Sequence, residues 1–253
     1  MNIIVPIKQV PDLVEELEIA SSGKDLDREW LKFKLNEFDD HALEEALLMQ
    51  EESGAKVIAV ALDGDDIDKA LFAAAAKGAD RIVKVTGIDA NVSSHQAAKA
   101  MANAIKELGY DVVMTGVQAV DDRDGQLAVL IAHYLGAPHV SVVTGVSASG
   151  GSLTVSKEYG GGLMAEFETS TPVVLGIQAA RQTPRYVPVA RVRRAMKEST
   201  LEEVSAGDAS VNVGSSVNKF FKPVSAGGAE MLGGSAEDQA AKVLEILKQK
   251  GVK

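Results

Sequence analysis

Short runs rich in aliphatic residues recur along the chain, separated by longer stretches that repeat every three to four residues. Asn2–Ile7, Lys56–Leu62, Arg81–Val85, Asp111–Thr115 and Pro172–Ile177 are the runs, and their near-continuous apolar character predicts strands covered on both faces. Between them, residues 40–50, 67–77, 93–108 and 126–135 read as helices. Asp40–Gln50 places Ala42, Leu43, Ala46 and Leu47 on one face and Glu44 and Glu45 on the other. The acids of this stretch therefore read as a solvated face, with Asp40 as a helix cap. Gly78, Gly109 and Gly136 stop the three later helices. This alternation predicts an α/β fold built on a doubly wound, mostly parallel sheet.

The texture changes from Val140 onward. Val140–Val146 and Leu153–Lys157, joined through Gly150–Gly151, predict a β-hairpin insertion. Residues 201–235 are small and polar and read as an extended C-terminal arm, which ends in a helix at Ala236–Lys250. The predicted organisation is an α/β nucleotide-binding domain at 1–200, followed by an arm and helix at 201–253 that pack on a partner. Trp30 and Phe33 are expected to cover an edge of the core.

Composition narrows the function. The chain has 253 residues, 46% of them hydrophobic, which is ample for a core. A formal net charge of −10 argues against nucleic acid as a partner. The absence of cysteine excludes disulfides, thiolate metal sites, iron–sulfur clusters and cysteine nucleophiles. No apolar run reaches the length of a membrane span, and Met1–Ile7 meets Lys8 without the pattern of a signal peptide, so a cytoplasmic location is expected. The four histidines lack metal-ligand spacing, and no nucleophile–base pair suggests hydrolysis.

In a doubly wound sheet, ligands bind beyond the carboxyl ends of strands, where strand order reverses. The loops to inspect follow Ile7, Leu62 and Thr115. In the third, Gly116–Gln126, Gly116 lets the chain turn off its strand and Gly125 stands where a helix begins, so the free amides near Gly125, Gln126 and Leu127 could hold a phosphate. The same segment also reads as a capped loop with Asp124 as N-cap. Its acids, Asp121, Asp122 and Asp124, would repel phosphate unless they face ribose or adenine.

At this point the sequence resembles the electron transfer flavoprotein beta subunits. Gly116–Gln126 is similar to their GxQAxDD…xGQ loop, and Val5-Pro6-Ile7-Lys8-Gln9-Val10 to their opening strand. Leu35-Asn36-Glu37-Phe38-Asp39-Asp40, followed by Ala42–Ala46, is similar to their helix entry. Ala76–Arg81 and Thr183-Pro184-Arg185-Tyr186 match further elements, and so does the tail from Ala229. The likeness runs collinearly along the chain. Around Asn36–Ala46 and in the tail it is nearest to the methylotrophic-bacterial branch that serves trimethylamine dehydrogenase.

The resemblance implies a Rossmann-like, adenine-nucleotide-hydrolase-like fold and a non-enzymatic electron carrier subunit. It implies a heterodimer with an alpha subunit that holds most of a redox FAD, and AMP bound structurally in this chain. The adenine nucleotide is expected to contact Pro6, Ile7, Lys8, Asn36 and Asp63, together with Asp122, Gly125, Gln126 and Leu127. Val189 matches the apolar residue that anchors a partner dehydrogenase. Arg185, Tyr186, Arg191 and Arg193 surround it, and the arginines there read either as steering charge or as a solvated face. Glu158 matches an acid that meets the flavin domain. Two alternatives stay open: an electron-bifurcating subunit with a second FAD and an NADH site, and a stand-alone universal-stress-type protein that binds adenine nucleotide. Arg123, Asp124 and Leu127 depart from the bifurcating pattern and favour AMP.

Overall fold

In the computed structural model, residues 1–89, 91–122, 124–149, 151–224 and 227–252 are described. The order of elements is β1 (Asn2–Pro6), β2 (Gln9–Pro11), β3 (Phe33–Leu35), α1 (Glu37–Ser53), β4 (Lys56–Asp63), α2 (Ile67–Lys77), β5 (Arg81–Asp89) and α3 (Ser94–Leu108). Then come β6 (Val112–Gly116), α4 (Leu127–Leu135), β7 (His139–Ser149), β8 (Ser152–Glu158), β9 (Met164–Thr169), β10 (Val173–Ile177), α5 (Val189–Glu198), β11 (Leu201–Ser205) and α6 (Ala236–Gln249).

A nine-stranded sheet runs β11-β5-β4-β1-β6-β10-β7-β8-β9. It is parallel from β11 to β7 and antiparallel from β7 to β9. Strand alternation divides the core into two layers. Ile3, Val5, Val57, Ala59, Val112 and Met114 face one way, against α1 and α2. Ile4, Ile58, Val60, Val113 and Val174 face the other, against α3 and α4. The chain leaves β1 toward β4 on one side and returns to β6 on the other, so strand order reverses between β1 and β6. The predicted doubly wound α/β fold is the observed one. No helix among the described residues is long and apolar enough to cross a membrane.

Several expectations change. The predicted hairpin is a three-stranded meander: β9 pairs with β8 at the sheet edge, although its residues are mostly exposed and carry no hydrophobic period. Gly150, expected in the first turn, lies outside the described residues. Leu201–Ser205, expected to begin the arm, is the opposite edge strand, where Glu202 meets Arg81 in a two-point ion pair. The next stretch lies on the chain's own surface. Asn103 Nδ2 donates to the Ala206 carbonyl (2.9 Å), Lys99 Nζ to that of Ser210 (2.7 Å), and the Phe220 amide to that of Gly23 (2.7 Å). Beyond it, α6 starts at a capping box between Ser235 and Asp238 and buries none of its residues. Trp30 is 86% exposed and covers no core; Phe33 is half-buried beneath the Arg28 guanidinium.

The largest correction concerns α1. Glu44 and Glu45 are buried, at 3% and 0% exposure, not solvated. Glu45 accepts from the Val146 amide (2.8 Å), the Arg181 amide (3.0 Å) and Arg181 Nε (2.8 Å). Glu44 accepts from the Arg185 amide (2.9 Å) and from the Arg185 guanidinium (2.8 Å). One turn pair further along α1, Glu51 and Glu52 take the outer ends of the same two guanidinium groups. Burial would raise the Glu44 pKa, but the Arg185 hydrogen bonds outweigh it and hold the carboxyl below its usual value. Asp40 is not the cap either. Asn36 occupies that position, and Asp40 pairs with Lys77.

Removing one partner of a buried, multiply bonded ion pair leaves a stranded charge. Glu45→Ala is therefore expected to lower unfolding stability by about 3–5 kcal/mol. Glu52→Ala, on a half-exposed carboxylate, should cost less than about 1 kcal/mol. Urea unfolding of the two variants measures the difference.

Candidate functional site at the strand-order reversal

Asp39, in the first turn of α1, joins the strands on either side of the reversal. Its Oδ2 accepts from the Lys8 amide just past β1 (2.9 Å), and its Oδ1 accepts from the Gly116 amide at the end of β6 (3.2 Å). The helix sits so close that a Cβ at Gly116 would lie 2.5 Å from Asp39 Oδ1 and 2.8 Å from the Asp39 amide nitrogen. Only glycine fits there. Burial raises the Asp39 pKa to about 7, and the Asn36 side chain, the Lys8 amide and charge and the Gly116 amide offset it only in part.

Asn36 completes the rim. Its amide donates to the Lys8 carbonyl (3.0 Å), and its Nδ2 donates to the Gln118 carbonyl in the loop after β6 (2.9 Å). The residue is 1% exposed, yet its Oδ1 has no partner among the described residues. A buried acceptor left open at this place suits a ligand that brings an N–H or O–H. Above it, Lys8 Nζ bridges Asp121 (2.7 Å) and Asp122 (2.9 Å), tying the β1 end to the loop ahead of α4.

That loop enters α4 through Gly125, whose backbone is left-handed (φ 63). A Cβ there would meet the Val117 carbonyl at 3.2 Å, so the glycine serves the tight turn itself. Asp124 is not the N-cap; Gln126 holds that position. Asp124 instead accepts from the Gln126 amide (3.1 Å) and from the Ser94 hydroxyl (2.6 Å). The first bond of the helix runs from the Leu130 amide to the Gln126 carbonyl, which leaves the Leu127, Ala128 and Val129 amides ahead of it without an intrahelical acceptor.

The structure thus gathers Pro6, Ile7, Lys8, Asn36, Asp122, Gly125, Gln126 and Leu127 around one reversal point. Asp63 is placed differently. It lines an open cavity of about 420 Å³ beyond β4 and β5, with Asp65, Asp89 and Asn91. Arg123 lies outside the described residues. Asp39 was missed as a site residue, because a run of acids before a helix reads as capping. The paired signal was Gly116, a strand-end glycine that leaves room for a helix start.

Elsewhere, Glu158 is exposed at the end of β8, opposite Met164 of β9, and Lys157 Nζ lies 5.3 Å from the ring centre of the adjacent Tyr159. Tyr186 and Val189 are 84% and 64% exposed, and Arg191 and Arg193 are exposed beside them. Arg185 differs from these arginines: its guanidinium is held by Glu44 and Glu51 rather than free in solvent.

Because the native pKa of Asp39 lies above the ordinary carboxylate value of 3.8, the native state binds this proton more tightly than the unfolded chain. Stability from this group is therefore lost as pH rises from 3.8 through about 7, by at most about 4 kcal/mol. Urea unfolding at pH 5 and pH 7.5 should show this fall, and Asp39→Asn should flatten it. A carbon-13 titration should place the carboxyl near 7. Separately, Gly116→Ala should cost at least about 1–3 kcal/mol, because it overpacks the contact with Asp39.

Comparison with known proteins agrees with the fold. Residues 26–209 match the family described as Electron transfer flavoprotein domain. The chain is 33% identical to the electron transfer flavoprotein subunit beta of Methylophilus methylotrophus over 98% of both chains. It is also 33% identical to the subunit beta of Clostridium acetobutylicum, again over 98% of both, and 25% identical to that of Bacillus subtilis over the same shares. The chain belongs to the electron transfer flavoprotein family.

Proposed function

We propose that this chain is the small subunit of a heterodimeric electron carrier, binding AMP at the reversal point and packing against an alpha subunit that holds most of an FAD. The observation that carries the reading is Asn36 Oδ1, a buried acceptor without a partner among the described residues, set between the end of β1 and the loop entering α4. Its chemistry suits the amino group of an adenine. The open amides at the start of α4 suit a phosphate. The FAD, when bound, supplies the redox chemistry. The residues of this chain hold the nucleotide, shape the rim and present surfaces to partners.

Two surfaces suit protein partners. The exposed face of α6 carries Val243, Leu244, Ile246 and Leu247, each more than 40% exposed, and suits the alpha subunit. On the other side, Tyr186 and Val189 lie in a margin of exposed arginines that suits an acidic patch on a donor flavin dehydrogenase. Glu158 would face the flavin-bearing domain of the partner.

The test is to co-express the chain with its alpha subunit, purify the complex, denature it and count the cofactors released. One FAD and one AMP per heterodimer is the expected result. Two FAD would assign the bifurcating role instead. A homodimer with adenine nucleotide and no flavin would assign the universal-stress type.

A further inference from the structure

We propose that Lys8 is the charge-cancelling residue of the nucleotide loop, holding Asp121 and Asp122 so that the segment ahead of α4 admits an anion. The proposal rests on the nucleotide reading above and assigns the residue that makes that reading electrostatically workable.

The loop presents a conflict. The start of α4 offers open amides, yet the preceding residues carry three carboxylates within a few positions. Asp124 is turned aside, with one oxygen on the Gln126 amide and the other on the Ser94 hydroxyl. Asp121 and Asp122 turn instead to Lys8. Each places an oxygen on Lys8 Nζ, at 2.7 and 2.9 Å.

The Lys8 stem is fixed at its root, because its own amide is held by Asp39 and its carbonyl by the Asn36 amide. The ammonium therefore reaches the loop from a rigid strand end, and its side chain is only 32% exposed. Burial disfavours its charge, but the two carboxylates outweigh burial and keep it cationic. The pair of acids then carries one net charge instead of two. The buried Asn36 Oδ1 is the independent sign that a ligand belongs beside this loop.

A charge-cancelling role differs from a structural one in what it discriminates. It matters for AMP, which carries a phosphate, and little for adenosine, which does not. The full-length chain, stripped of nucleotide, should be titrated calorimetrically with AMP and with adenosine. Lys8→Met should weaken AMP about tenfold, on the scale of one uncompensated charge in a partly hydrated site, with adenosine changed by less than about threefold. The double variant K8M/D121N should regain AMP affinity to within about threefold of the parent, because one repelling charge leaves together with its neutraliser and Asp122 stays in place. Lys8→Arg should retain AMP binding.

Equal AMP affinity in Lys8→Met and the parent would overturn the proposal and leave the nucleotide reading intact. Equal losses for AMP and adenosine, or no recovery in the double variant, would also overturn it, since Lys8 would then act as a plain scaffold. If the parent binds neither AMP nor adenosine, the nucleotide reading itself fails.

Discussion

One buried carboxylate sets the geometry at the centre of this molecule. A doubly wound sheet must splay its connections where strand order reverses, and the backbone amides there lose their ladder partners. Asp39 supplies acceptors to two such amides at once, one beyond β1 and one at the end of β6. It does so from the first turn of α1, although burial disfavours its charge. The close approach needs Gly116, and the approach in turn fixes where Asn36 and Lys8 stand.

The same helix organises the opposite flank of the sheet. Glu44 and Glu45 lie at its buried side, with Glu51 and Glu52 two turns on, and together they receive Arg181 and Arg185. Backbone amides at 146, 181 and 185 share in the network, so the pairs order chain as well as charge. Buried pairs of this kind are weak evidence for net stability, but breaking one is costly. Their clearest effect is to fix the segment leading to the exposed Tyr186 and Val189. A surface displayed from an ordered segment meets a partner with less entropy to lose.

The sheet was legible in the sequence because short, near-continuous aliphatic runs alternating with longer helical stretches leave few other folds. The Gly116–Gln126 loop stood out through its glycines at a strand end and again at a helix start, although the same segment also reads as a capped loop. What could not be read was the partner of each charge. Glu44 and Glu45 look like solvent-facing residues on a helical wheel, and only the arginines some 140 positions later make their burial tolerable. β9 and β11 are edge strands without a fully buried residue, so neither shows the pattern that burial imposes. Resemblance supplied Asn36, whereas its unpaired oxygen became visible only once both neighbouring loops were in place.

The C-terminal region shows how local signals and tertiary contacts divide their work. Asn103, Lys99 and Gly23 tie the stretch from Ala206 to Phe220 to the body of the chain, and the Lys222–Glu18 ion pair extends the track. Past that point the start of α6 is set by its own capping box. A helix of 14 residues is marginal in water on local signals alone, and its stability ordinarily comes from burying an apolar face. Here that face is open. The anchored half of the arm fixes where the helix begins its reach, which raises its effective concentration toward any surface within range. The two halves therefore do different things: the first is bound by this chain's own polar groups, and the second carries apolar side chains that this chain leaves uncovered.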